Sequence, residues 1–229
     1  MKFGVVVFPG SNCDRDMQDA LAQDLGQEVQ MLWHKDSSLN SLGKDDCVVL
    51  PGGFSYGDYL RCGAMAQFSP IMERVIEHAN NGGKVLGVCN GFQILCETGL
   101  LPGALLANDH QKFICKNVFI KSDDNAAPIN ASIGSAPLKI PIAHGEGRFF
   151  ADEATLASIQ SNKQVIFRYC DKDGGVSRKE NPNGSLDSIA GICNEGRNVF
   201  GMMPHPERAC SKILGNIDGR AIFNSLINN

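Results

Sequence analysis

Four short apolar runs separated by stretches of helical periodicity constrain this chain more than any other feature. The runs are FGVVVF (Phe3–Phe8), EVQMLW (Glu28–Trp33), CVVLP (Cys47–Pro51) and KVLGV (Lys84–Val88). A strand that is apolar at nearly every position needs cover on both faces, and helices in the connections supply it. The pattern predicts an α/β fold: a single-domain three-layer sandwich over residues 1–229, with a mostly parallel central sheet flanked by helices. RDMQDALAQDL (Arg15–Leu25) places Met17, Leu21 and Leu25 at helical spacing. AMAQFSPIMERVIEHANNGG places Met65, Phe68, Met72, Val75, Ile76 and Ala79 on one helical face, stopped by Gly82-Gly83. NGFQILCETG reads as a third helix, closed by Gly99. The second half reads as strands: FICKNVFIKS, LKIPIAHG, QVIFRYC, SIAGICN and NVFGMMPH. Asp171–Asp187 is polar and turn-rich, a loop or hairpin rather than a domain boundary.

The composition removes some functions. Net charge is −4, which gives no bulk electrostatic case for nucleic acid or an anionic membrane. No window approaches a transmembrane length, and the KFGVVVFPGSN start does not read as a signal peptide, so a cytoplasmic location is expected. The nine cysteines show no C-x-x-C pair or other zinc spacing. They are read as reduced thiols, most of them small buried hydrophobes, and no metal site is expected.

One cysteine is placed differently. In KVLGVCNGFQIL, Cys89 stands between Gly87 and Gly91 where an apolar strand gives way to a helix. Strand–Gly-x-Cys-x-Gly–helix is the cysteine form of a nucleophile elbow. It lifts a thiol to a helix N-terminus, where the dipole and free N–H groups favour thiolate. The Asn90 N–H would face an oxyanion formed when the sulfur attacks a carbonyl. The plainer reading is a core cysteine in a strand-to-helix turn.

A cysteine nucleophile needs a base and a group to orient that base. Of the five histidines, His34 and His78 have polar neighbours and are expected at the surface, and His110 lies in a loop with no evident partner. His205 follows the apolar NVFGMM run, between Pro204 and Pro206. An extended backbone there would put His205 and Glu207 on one side, imidazole beside carboxylate. An exposed proline turn is the alternative. The loop LPGGFSYGDYLRCG (Leu50–Gly63) also follows a strand. Its Gly52-Gly53 pair would let main-chain N–H groups approach a ligand and complete an oxyanion hole. Phosphate binding is a weak rival, because neither a G-x-x-x-x-G-K-[ST] nor a G-x-G-x-x-G after a strand occurs.

Together these residues resemble a class I glutamine amidotransferase domain with a Cys-His-Glu triad, and nearly the whole chain takes part. G-x-C-x-G-x-Q and the H-P-E element mark such domains in general. FPGSNCDRD, PGGFSYGDYLRCGA, AHGEGRF and MMPHPERA are similar to the glutaminase subunits of phosphoribosylformylglycinamidine synthases, in the stand-alone form rather than the large fused one. The resemblance implies a flavodoxin-like sandwich that hydrolyses L-glutamine to glutamate and ammonia. It implies Cys89, His205 and Glu207 as the triad, and Gly53 and Asn90 as oxyanion donors. It also implies Gln93, His144 and Gly145 as contacts to glutamine. No cofactor is expected in this chain. ATP and Mg are expected on a partner synthetase subunit, joined through a small bridging subunit. Another class I amidotransferase subunit or a free-standing glutaminase is the runner-up. A non-catalytic binding module, or a peptidase or chaperone-like relative, stands further off. Cys62 and Cys96 are the other cysteines expected near the site.

Overall fold

β1 (Lys2–Val7), β2 (Glu28–Trp33), β3 (Cys47–Leu50), β4 (Lys84–Val88) and β11 (Val199–Met202) run parallel in the order β2-β1-β3-β4-β11. β10 (Ile189–Cys193), β9 (Val165–Cys170), β6 (Ile114–Ser122) and β7 (Leu138–His144) extend that sheet by antiparallel pairing. This is a computed structural model, and it describes residues 1–123 and 127–229. The sequence-predicted strands all belong to this one sheet, and the α/β sandwich is as expected. β5 (Ala104–Leu106) and β8 (Arg148–Phe150) form a separate small antiparallel pair.

The parallel half explains the unbroken apolar runs. Every residue of β3 and β11 is buried, as are Phe3, Val5 and Val6 of β1 and Val85, Leu86 and Val88 of β4. Helices cover both faces. α1 (Asp14–Asp19), prolonged by a π-helical turn over Ala20–Asp24, shares one face with α5 (Gly219–Asn228); both pack on the turn Pro206–Ala209. α2 (Pro70–Asn80) and α3 (Asn90–Glu97) both pack on the turn Ala66–Phe68, and α3 lies over β3, β4 and β11. α4 (Glu153–Ser161) is capped by Asp152, whose Oδ1 accepts from Thr155 N at 2.8 Å. The sequence reading named neither α4 nor α5.

Two local expectations need correction. Met65 and Phe68 are not part of α2, which starts at Pro70 after Ser69; Phe68 lies in its own short turn, 76 % exposed. Proline disfavours helix in the residue before it and suits the first helical position, so the helix cannot extend back past Ser69. His34 and His78 are buried, not on the surface. His34 Nδ1 pairs with Tyr56 Oη at 2.7 Å, and the His78 ring packs against Gly83. His34 is covered by the loop that carries Tyr56, 22 positions on, and His78 by the glycine turn that ends its own helix; local polarity reveals neither.

Among the described residues no helix is long and apolar enough to cross a membrane. The strand order 2-1-3-4 creates a crevice at the carboxyl ends of the parallel strands, where sheets of this kind place their ligands. Four segments leave those ends side by side: Phe8–Cys13 after β1, Pro51–Gly53 after β3, Cys89 after β4 and Met203–His205 after β11.

Candidate active site

Cys89 occupies a strained backbone position, φ +51° and ψ −104°, between the last residue of β4 and the first of α3. Such a conformation costs a non-glycine residue on the order of 1–3 kcal/mol and persists where its surroundings enforce it. The enforcement is visible. The Cys89 N–H donates to Met202 O at 2.8 Å, and its carbonyl accepts from Gln93 N at 3.1 Å. The flanking glycines are needed for close approach. A Cβ on Gly91 would overlap the Leu50 carbonyl oxygen, and one on Gly87 would stand 2.6 Å from the Gly91 carbonyl. Gly91→Ala is therefore expected to cost about 3 kcal/mol or more through overpacking, read as a drop in the urea midpoint. A midpoint within error of the parent would refute this account of the turn.

His205 reaches the same place by strand register. β4 and β11 pair in parallel with Val88 opposite Met202, so the residues leaving both strands emerge together. His205 N donates to Pro141 O at 2.8 Å, which fixes the backbone. The chain then turns instead of staying extended. A 3₁₀ turn starts at Pro206 and brings the Glu207 carboxylate back to the ring, Oε1 2.7 Å from His205 Nδ1. The expected pairing forms, but by a turn. Both side chains are almost fully buried. Burial alone would lower the His205 pKa; the Glu207 carboxylate outweighs it, with the Cys89 and Cys13 sulfurs adding to the same effect, so the pKa is raised well above the ordinary histidine value. Nδ1–H donates to Glu207, which leaves Nε2, buried and without a hydrogen-bond partner among the described residues, to exchange protons with a reacting group.

The glycine pair has a steric role that its sequence did not show. A Cβ on Gly52 would lie 2.7 Å from His205 Cε1 and 3.1 Å from Cys13 Sγ, so only glycine leaves room for the imidazole. Gly53, at φ +135°, packs 2.7 Å from Asn12 N by the same measure, in a bridge to Ser11.

Sequence reasoning missed Cys13 and Arg208. Cys13 Sγ accepts from Arg208 Nη2 at 3.1 Å, and Arg208 Nε donates to Asp16 at 2.9 Å. Donor atoms of Cys13, His205 and Glu207 all lie within 4.8 Å of one another. A zinc ion bridging His205 and Glu207 would hold their ligand atoms roughly 3.3 Å apart, and a 2.7 Å hydrogen bond occupies that place. Cys13 and Arg208 belong to the quoted motifs FPGSNCDRD and MMPHPERA, so the resemblance pointed at the segments without singling these two out.

Asn90 ties the elbow to the glycine loop. Its Oδ1 accepts from Ser55 N at 3.2 Å, and its Nδ2 donates to Gln93 Oε1 at 2.9 Å. Gln93 Nε2 in turn donates to Glu146 O at 2.7 Å, so its amide braces the His144–Glu146 segment. Cys62 lies at the site as expected, its thiol pushed up by burial and by the Asp58 and Glu146 carboxylates, and so kept protonated. Cys96 is also pushed up by burial and does not line the site; its thiol faces Pro102 O. His110 has a partner after all: Lys112 N donates to its Nδ1 and Nε2 donates to Pro182 O.

These groups surround one cavity of about 130 Å³, lined by Cys89, Gly53, Gln93, His144, Gly145 and His205 together with Cys13, Asp58, Glu146 and Arg208. Gly52 and Asn90 stand just behind that wall. A thiol on an elbow, an imidazole oriented by a carboxylate and main-chain N–H groups at a helix start are the parts of an acyl transfer site.

Known proteins agree with that chemistry. The model of a CobB/CobQ-like glutamine amidotransferase domain matches residues 1–222. The phosphoribosylformylglycinamidine synthase subunit PurQ of Moorella thermoacetica is 56% identical over 228 residues, covering 99% of this chain and 95% of that one. The same subunit of a Nostoc species is 55% identical over 228 residues, covering 99% and 97%. Among solved structures, PurLQS from Thermotoga maritima matches with a TM-score of 0.85 at 41% identity, covering 99% of this chain and 97% of that chain. A glutamine amidotransferase from the same organism, 15% identical with a TM-score of 0.57, covers 100% and 90% and shares the fold. With family match, relatives and elbow in accord, this chain belongs to the CobB/CobQ-like glutamine amidotransferases, within the group of phosphoribosylformylglycinamidine synthase glutaminase subunits called PurQ.

Proposed function

We propose that the chain hydrolyses L-glutamine at Cys89 and hands the ammonia to a synthetase subunit that makes formylglycinamidine ribonucleotide with ATP in purine biosynthesis. The observation that carries this is the junction of β4 and β11. It sets a strained elbow cysteine beside a buried His205–Glu207 pair, in a chain of this family. Cys89 gives its proton to His205 and attacks the side-chain amide carbon. The N–H groups of Asn90 and Gly53 hold the oxyanion. His205 Nε2 protonates the departing ammonia and then takes a proton from the water that cleaves the glutamyl thioester. Glu207 keeps the ring oriented and offsets its charge. Gln93, His144 and Gly145 wall the glutamine subsite. ATP and Mg belong to the synthetase subunit, and a small bridging subunit joins the two. Ammonia has to travel unprotonated, because ammonium is not a nucleophile.

The relative solved as PurLQS supports assembly with other subunits. A chain that only supplies ammonia wastes glutamine unless it is held slow by itself. The Gly52-Gly53 segment is the place for such control, since turning one peptide removes an oxyanion donor worth roughly 10²–10³ in rate. The test is glutamine turnover by the chain alone and then with synthetase, bridging subunit, ATP and formylglycinamide ribonucleotide. A rise of about tenfold or more is expected, a coupling of the ordinary conformational size. Equal turnover in both mixtures would identify a free-standing glutaminase instead.

A further inference from the structure

The loop that follows Gly53 is bent against the preference of its residues. Tyr56, Gly57 and Asp58 succeed one another with φ of +55°, +66° and +54°, and Leu60 adds +71°. Of these only the glycine takes such angles freely, and the others keep them where their surroundings enforce it. The main chain supplies part of that enforcement. Phe54 N donates to Gly10 O at 3.2 Å, Tyr56 N to Pro9 O at 2.6 Å and Gly57 N to Phe54 O at 2.8 Å. From the elbow, Asn90 Oδ1 holds the same loop through Ser55 N.

The remaining anchor is a side chain that does not line the cavity. Tyr56 Oη lies 2.7 Å from His34 Nδ1 and 2.8 Å from Ser69 Oγ. A phenol can give its one proton to one partner and accept from the other, so a single hydroxyl ties the loop to both. Both partners are buried, and each is itself fixed to the frame. His34 N donates to Val7 O at 3.1 Å, at the end of β1, and its carbonyl accepts from Ile71 N of α2 at 3.2 Å. Burial, reinforced by Lys35 and opposed by Asp36, lowers the His34 pKa, so the ring stays neutral near pH 7. Ser69 stands at the N-cap of α2, where a serine ordinarily bonds a free N–H of the first turn. Its side chain does not cap the helix; the hydroxyl is given to Tyr56. Two local preferences, a helix cap and a backbone angle, are thus set aside around one oxygen, as functional sites do.

We propose that Tyr56, held by His34 and Ser69, is a positioning residue that aims the Gly53 N–H at the oxyanion, so that it serves the transition state without touching the substrate. An oxyanion donor is effective only when it is aimed in advance, and Gly53, at φ +135°, has no side chain to hold its own peptide in place. The inference rests on the glutaminase reading, and the test separates the two.

Tyr56→Phe keeps the ring and removes the hydroxyl. In the assembled complex it is expected to lower kcat for glutamine by about 10–100-fold with KM within about threefold, a part of what losing an oxyanion donor outright costs. Ser69→Ala, which removes no cap, should lower kcat in the same sense by about three- to tenfold. The double variant should be no slower than Tyr56→Phe alone, because both changes act through one hydroxyl. Alkylation of Cys89 by iodoacetamide forms no oxyanion, so its rate should stay within about twofold of the parent in all three variants. Alkylation slowed as much as kcat, losses that add in the double variant, or a kcat for Tyr56→Phe within about twofold of the parent would overturn the positioning role and leave the glutaminase reading standing. A parent complex that turns over no glutamine would overturn the glutaminase reading, and the positioning role with it.

Discussion

Cys89→Ala is expected to reduce glutamine turnover by about 10⁴-fold or more while leaving the fold intact. Removing the nucleophile of a triad enzyme leaves only the rate supplied by binding and the oxyanion donors. The substitution is mild for the structure. The sulfur makes a long contact, 3.8 Å to Ala143 O, and the strained backbone is held by main-chain bonds that alanine keeps. Turnover in the assembled complex and the urea midpoint are to be measured together. A glutamine-like diazo-ketone label should also attach at Cys89 in the parent. Cys13 is the informative alternative, since it lies by the same imidazole with Arg208 at its sulfur. Turnover within a hundredfold of the parent, or inactivation by label on Cys13, would sink the assignment of Cys89.

His205→Ala should fall as far as Cys89→Ala, because without Nε2 neither the thiol nor the leaving ammonia has a proton partner. Glu207→Gln should retain more activity, about 10–100 times that of His205→Ala, as happens when the orienting acid of a triad is removed alone. Its pH profile should move as well. The carboxylate is what raises the His205 pKa against burial, so with it gone burial prevails and the imidazole loses its proton at lower pH. Folding stability shifts in the same sense. A histidine whose pKa is raised by folding contributes stability that is present in full below its unfolded pKa and fades as pH rises through the folded one. Glu207→Gln should lose that contribution at low pH, and the urea midpoint measured across pH shows it. Equal loss of activity in the two variants with no change in either pH profile would mean that Glu207 does more than orient.

The sequence by itself determined the sheet's parallel half and the elbow. Strands buried on both faces leave unbroken apolar runs, and Gly-x-Cys-x-Gly has to be glycine at both ends because the Leu50 carbonyl and the elbow's own backbone fill the space. Both signals are local, so a linear reading captures them. Quoted motifs also located Gly52, Gly53, Asn90, Gln93, His144 and Gly145 at or beside the cavity. Only the tertiary structure decided the rest. It set His205 beside Cys89, 116 positions away, through the parallel pairing of Val88 with Met202. It folded the proline segment into a turn rather than an extended strand, because Pro206 starts a 3₁₀ turn that closes on the imidazole. It buried His34 under the remote loop of Tyr56, gave Gly52 its function as space for a ring, and brought Cys13, Asp58 and Glu146 to the same wall. Contacts of that kind depend on which strand ends become neighbours, and neither hydrophobic periodicity nor turn chemistry carries that information.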